Sequence, residues 1–191
     1  MLRGGIGFAV VSLAGFSVWA FAGKWLYAKI GEAGLYAACL LVFLGASGFL
    51  LHPLVRRPRS LFRFYSIFIP AFFAYAVLWC IAWFVFRFGM GEWLGSLAGS
   101  IVFVAITGRR FGNCRGLVRV CIVFFCLHSA GYFLGGELMH WIAGPAGAAT
   151  LIGISKPQLF WIAKLCWGLL YGVGFGAGMG YAYSTFQSQD N

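Results

Sequence analysis

GEAGLYAACLLVFLGASG, residues 31–48, returns sixty residues later as GEWLGSLAGSIVFVAITG, residues 91–108. The copies align without a gap: Gly31/Gly91, Glu32/Glu92, Ala38/Ala98, Val42/Val102, Phe43/Phe103 and Gly48/Gly108 are identical. Working outward, the same shift pairs Arg3 with Arg63, Phe8 with Phe68, Ala14 with Ala74, Trp19 with Trp79 and Ala22 with Ala82. A fainter third copy, GELMHWIAGPAGAATLIG, opens at Gly136 and closes at Gly153. The repeat unit reads as two membrane-length apolar segments joined at a Gly-Glu turn.

Composition fixes the solvent. Charged residues make up 9% of the 191 residues and hydrophobic ones 62%, where a soluble domain carries about a quarter charged. Backbone amides in hydrocarbon must be satisfied within their own segment or in a closed barrel, and these apolar runs are too long and unalternating for barrel strands. The expected class is all-α: one polytopic transmembrane helical bundle over the whole chain. Its parts are three repeated helical hairpins (about residues 1–60, 61–116 and 117–155) and a closing helix over 158–183. The net charge of +10 would suggest nucleic acid in a soluble protein. Here it sits in short loops, where orientation and anionic lipid headgroups explain it, so no nucleic-acid partner is expected. Of six cysteines, only Cys114 lies in a loop and no CxxC occurs, which favours small buried side chains over a disulfide framework.

Taken in order, helices are expected over 6–22 (retained rather than cleaved as a leader), 33–51, 64–86, 93–107 and 117–134. The stretch 138–155 is membrane-length but interrupted by Gly144-Pro145-Ala146-Gly147, so it either spans or dips in and returns. The loops bearing Arg56, Arg57, Arg59, Arg109 and Arg110 belong in the cytoplasm by the positive-inside rule, and these arginines are the expected contacts to anionic headgroups. If 138–155 spans, Lys156 and Lys164 also fall on that side. That favours seven helices in a bacterial inner membrane, N-terminus cytoplasmic and C-terminus outside, with six helices plus a re-entrant segment as the alternative. In the closing helix, Gly168, Gly172, Gly176 and Gly180 stand four apart, a GxxxG ladder that lets another backbone approach closely, from this chain or another.

Few side chains carry chemistry. Glu32, Glu92 and Glu137 are expected on one membrane side, each in the first turn of a helix, where the dipole favours a carboxylate; convergence on a cation or basic solute is the sharper alternative. His128 lies midway along an apolar helix and His140 beyond the third Gly-Glu; both could ligate a tetrapyrrole, against an ordinary hydrogen bond to a neighbouring helix. Lys164 is expected to snorkel, with an internal cavity or a partner subunit as the alternative. No Ser/His/Asp group, HExxH or phosphate loop is present, so the sequence gives no catalytic or metal-ligating set, names no cofactor and leans away from an enzyme. The reading favoured is a non-catalytic membrane protein acting through helix packing, as an accessory or assembly subunit or a homo-oligomer. A small-solute or ion transporter using the outer glutamates and a tetrapyrrole or redox protein using His128 stay open beside it.

Overall fold

The computed structural model describes residues 1–56 and 60–187. The elements are α1 (Leu2–Ser17), a π-helical turn (Val18–Ala22), α2 (Gly23–Leu51), a 3-10 turn (His52–Leu54), α3 (Leu61–Phe86), α4 (Met90–Phe111), α5 (Leu117–Ala143), the short α6 (Pro145–Thr150) and α7 (Lys156–Phe186). No strand occurs among the described residues. Five runs are long and apolar enough to cross a membrane, the first being Leu2–Leu54 at 53 residues.

That first run would be about 80 Å long if straight, more than twice a hydrocarbon core. It is not straight. Gly31 adopts φ 72, ψ −176, a conformation that side chains resist. Beyond it the chain runs back along α1, so that Gly15 meets the Phe43 ring and Gly7 meets Leu51. The run is therefore two antiparallel legs. α3 and α4 form a second hairpin through Arg87–Gly89, with Trp79 over Gly95 and Tyr75 over Gly99. Ser60 starts α3 by accepting the Arg63 amide at 3.0 Å, and Gly112 in the left-handed region ends α4.

α7 is the pillar. Its Gly172, Gly176 and Gly180 meet α1 at Ala9, Gly4 and Met1, while Gly174 and Gly178 meet α5 at Gly131 and Phe124. A methyl group on Gly176 would collide with the Gly4 carbonyl. Ser12 reinforces the contact by donating to the Gly168 carbonyl at 2.6 Å. The glycine ladder is thus consumed within the chain. At mid-height, Phe8 stacks on Phe175 at 4.6 Å and meets Phe43 and Phe72, a buried aromatic core. Outward, large apolar side chains such as Leu41, Phe73, Ile122 and Val173 are exposed.

These contacts put the described Arg3, Arg56, Arg63, Arg109, Arg110 and Arg115 at one end of the bundle, the arginine end. The Glu32 and Glu92 side chains mark the other, the glutamate end. Arg57 and Arg59 lie outside the described residues.

The structure departs from the sevenfold expectation at its third hairpin. Residues 138–155 form no span: 138–143 complete α5, and only the short α6 follows before Gly153 turns the chain. Gly136, read with Glu137 as a turn, is helical. Gly135 is small because Trp167 packs against it. The break comes at Gly144, extended at φ −86, ψ 179, as expected of a residue before proline. α5 alone, with 27 residues, is about 40 Å long and sufficient to cross. The long legs therefore number six with the first run divided, and Met1 lies beside Gly180. The described ends, Met1 and Gln187, are both at the arginine end, where seven spans would have separated them.

The three Gly-Glu pairs also differ. Gly31 is itself a chain reversal, Gly91 lies in the first turn of α4 against the Ala82 carbonyl, and Gly136 sits inside α5.

Candidate functional site

α2 and α3 close against each other toward the arginine end, where the Tyr65 hydroxyl donates to the Gly45 carbonyl at 2.8 Å and accepts the Gly48 amide at 3.2 Å. Toward the glutamate end they diverge around a cavity of about 840 Å³. Its side walls come from residues 27–43 of α2 and 72–85 of α3. Phe16 of α1, Trp19 of the π-helical turn, Tyr132 of α5 and Trp167 and Tyr171 of α7 make its back. Ala37, Val77, Ile81 and Val85 belong to its lining and are exposed on the outside of the bundle. The cavity therefore opens sideways, between helices, onto the apolar surface.

Aromatic residues dominate these walls for a local reason. Trp79 and Trp83 stand one helical turn apart on α3 and stack at 5.7 Å with an interplanar angle of 11°. Tyr36 meets Trp79 at 6.2 Å and Phe84 at 6.0 Å across the gap. Such faces suit hydrocarbon chains and flat rings alike.

A thin electrostatic bridge crosses the mouth. Arg87 donates to Glu32 at 3.5 Å, and the Trp83 indole N–H reaches the same carboxylate at 3.4 Å. The Arg87 guanidinium lies 5.3 Å from the Phe84 ring centre and 5.9 Å from that of Trp83. Arg87 is the one non-glycine residue with positive φ among those described, at 58°, a conformation costing about 1–3 kcal/mol. Because both charged side chains are partly exposed, the ion pair itself contributes under about 1 kcal/mol. The bridge is easily opened.

The remaining candidates separate. Glu92 caps α4 by accepting the Gly89 amide at 3.1 Å and takes a hydrogen bond from the Tyr132 hydroxyl at 3.0 Å. Glu137 is exposed near the end of α5 rather than at a helix start, and His140 is exposed one turn further on. No group of three or more His, Cys, Asp or Glu side chains gathers among the described residues. His128 is fully buried. Its Nε2 shares a hydrogen bond with the Tyr75 hydroxyl at 2.7 Å, and its faces are covered by Phe124 and Tyr132.

Lys164 turns inward. Its ammonium donates to the Trp19 carbonyl at 3.2 Å and lies 4.4 Å from the Trp19 ring centre. The π-helical turn at Val18–Ala22 disrupts the regular ladder, which is where a backbone carbonyl becomes available to a side chain. All six cysteines are free thiols.

Sequence reasoning did not find the cavity. Its signal was present only as aromatic density in α3, and no spacing rule links residues drawn from six elements. Comparison of the chain with protein-family models, with curated proteins and with solved structures finds no match.

Proposed function

We propose that the protein is a non-catalytic integral membrane protein that takes an acyl or isoprenoid chain sideways from the bilayer into the cavity between α2 and α3. The observation that carries this reading is the cavity's form: about 840 Å³, aromatic within, and open through the exposed apolar rim of Ala37, Val77, Ile81 and Val85. Small-molecule sites are mostly apolar concavities of about 300–1,000 Å³. A chain-bearing lipid meets this one without crossing water. The Glu32–Arg87 bridge then stands at headgroup depth, over the mouth.

Orientation follows the positive-inside rule. The arginine end belongs in the cytoplasm of a bacterial inner membrane, and with six legs both described ends of the chain lie there. The glutamate end, with Lys24, Lys29, Arg87 and Lys156, faces out. A role as an assembly subunit or homo-oligomer no longer has the glycine ladder as its motive, since α1 and α5 occupy those glycines.

The test is photo-crosslinking in proteoliposomes with a phospholipid bearing a diazirine along its acyl chain, adducts being mapped by mass spectrometry. Adducts on Cys39, Ala76 and Cys80 inside the cavity, lost in Ala76→Phe, support the proposal. Labelling confined to outward residues such as Leu41 and Phe73 would overturn it.

A further inference from the structure

The α4–α5 interface carries a second feature, independent of what the cavity holds. On α4, Glu92, Ser96, Ser100 and Phe103 fall on one face by helical spacing. On α5, Phe124, His128 and Tyr132 do the same. The two faces are pinned together at both ends: Tyr132 donates to Glu92 at 3.0 Å, and Phe103 stacks on Phe124 at 4.9 Å. Antiparallel packing between those pins sets Ser96 and Ser100 opposite His128 and its neighbour Ser129.

All four side chains are buried, Ser96, Ser100 and His128 at 0% exposure and Ser129 at 6%. Yet Ser96 Oγ, Ser100 Oγ, Ser129 Oγ and His128 Nδ1 have no hydrogen-bond partner. The indole nitrogen of Trp79, whose ring edge lies over Gly95 one residue before Ser96, is also unpartnered. A single orphaned hydroxyl on a helix can turn back to its own carbonyl. Three hydroxyls and an imidazole nitrogen unpartnered on two facing helices, with an unpartnered indole N–H on the adjoining α3, are a different case. Each needs a partner, and together they offer donors and acceptors in the mixture that buried water requires.

We infer that the seam between α4 and α5 is a water-binding site: a short file of ordered water joins Glu92 to His128 Nδ1 through Ser96 and Ser100. The line continues past the imidazole, because His128 Nε2 is bonded to the Tyr75 hydroxyl at 2.7 Å and Tyr75 lines the cavity. A proton can exchange along it between the glutamate end and the cavity wall. Toward the arginine end the stacked Phe103 and Phe124 close it, so the file enters from one side only.

Solid-state NMR of ¹⁵N-histidine-labelled protein in bilayers tests this by transfer of magnetisation from water to the imidazole nitrogens. The chain's three histidines make it self-controlled, since His52 and His140 lie near the ends of the bundle. His128 Nδ1 should receive water magnetisation at a rate close to theirs, and Ser96→Ala/Ser100→Ala should slow it about tenfold as its hydrogen-bonding partners are lost. The Nε2 shift set by Tyr75 should not change in that variant. A His128 ring dry in the wild-type protein, while His52 and His140 exchange, overturns the inference. So does unchanged transfer in the double variant. Neither result bears on the acyl-chain crosslinks, so the two proposals fail separately.

Discussion

The two sides of this bundle are built on opposite terms. Along α7 the chain spends glycine to bring backbones together: Gly176 lies against Gly4 on one face and Gly174 against Gly131 on the other, too close for any side chain between them. Between α2 and α3 it spends tryptophan and tyrosine, and at the glutamate end the helices stay apart around about 840 Å³. Where burial in water cannot drive helices together, close van der Waals approach must do so, and the glycine side supplies it. The aromatic side can remain open because the glycine side holds the fold.

That contrast can be broken at several points. Gly176→Leu should have the largest effect, a loss of about 3 kcal/mol or more, since its side chain meets backbone that cannot yield; thermal unfolding in detergent measures it, and a variant as stable as wild type would remove the pillar from the argument. Ala76→Phe, placed in the cavity wall, should leave the unfolding temperature almost unchanged while reducing acyl-chain occupancy about tenfold, or about 1.4 kcal/mol. If it destabilises as Gly176→Leu does, the gap is packed core rather than a site. Tyr65→Phe removes the hydroxyl that ties α3 to Gly45 and Gly48 and should cost about 1 kcal/mol, loosening α2 from α3 at the arginine end. Glu32→Gln should be the mildest, a few tenths of a kcal/mol for a partly exposed pair. Its effect should appear in faster crosslinking of cavity residues and hardly at all in stability.

Much of the helical content was legible, because runs as apolar as Leu61–Phe86 have no other way to satisfy their amides. The glycines four apart in α7 were also readable as a strip for close approach. What they touch was not, since spacing on one helix says nothing of its neighbour. Glycine misled at the third hairpin for a physical reason. Gly31 reverses the chain through positive φ, whereas Gly136 continues α5 beside Gly135, whose smallness admits Trp167, and a single sequence does not distinguish a glycine chosen for freedom from one chosen for size. His128 stood out as a polar ring in an apolar helix, but its partner Tyr75 is 53 residues away. The cavity was invisible because it is a distance between helices, which no residue pattern records.

One consequence of the pillar concerns biogenesis. The helix that touches both α1 and α5 at backbone distance is the last of the long helices to leave the ribosome, so α1, among the first to be made, must wait with Gly4 and Ser12 uncovered until Lys156–Phe186 has been delivered. The earlier legs enter the bilayer around an axis that does not yet exist, and closure waits for α7. A nascent chain halted before residue 156 would present two bare glycine grooves, making that stage the natural point for a membrane chaperone or quality-control protease to act.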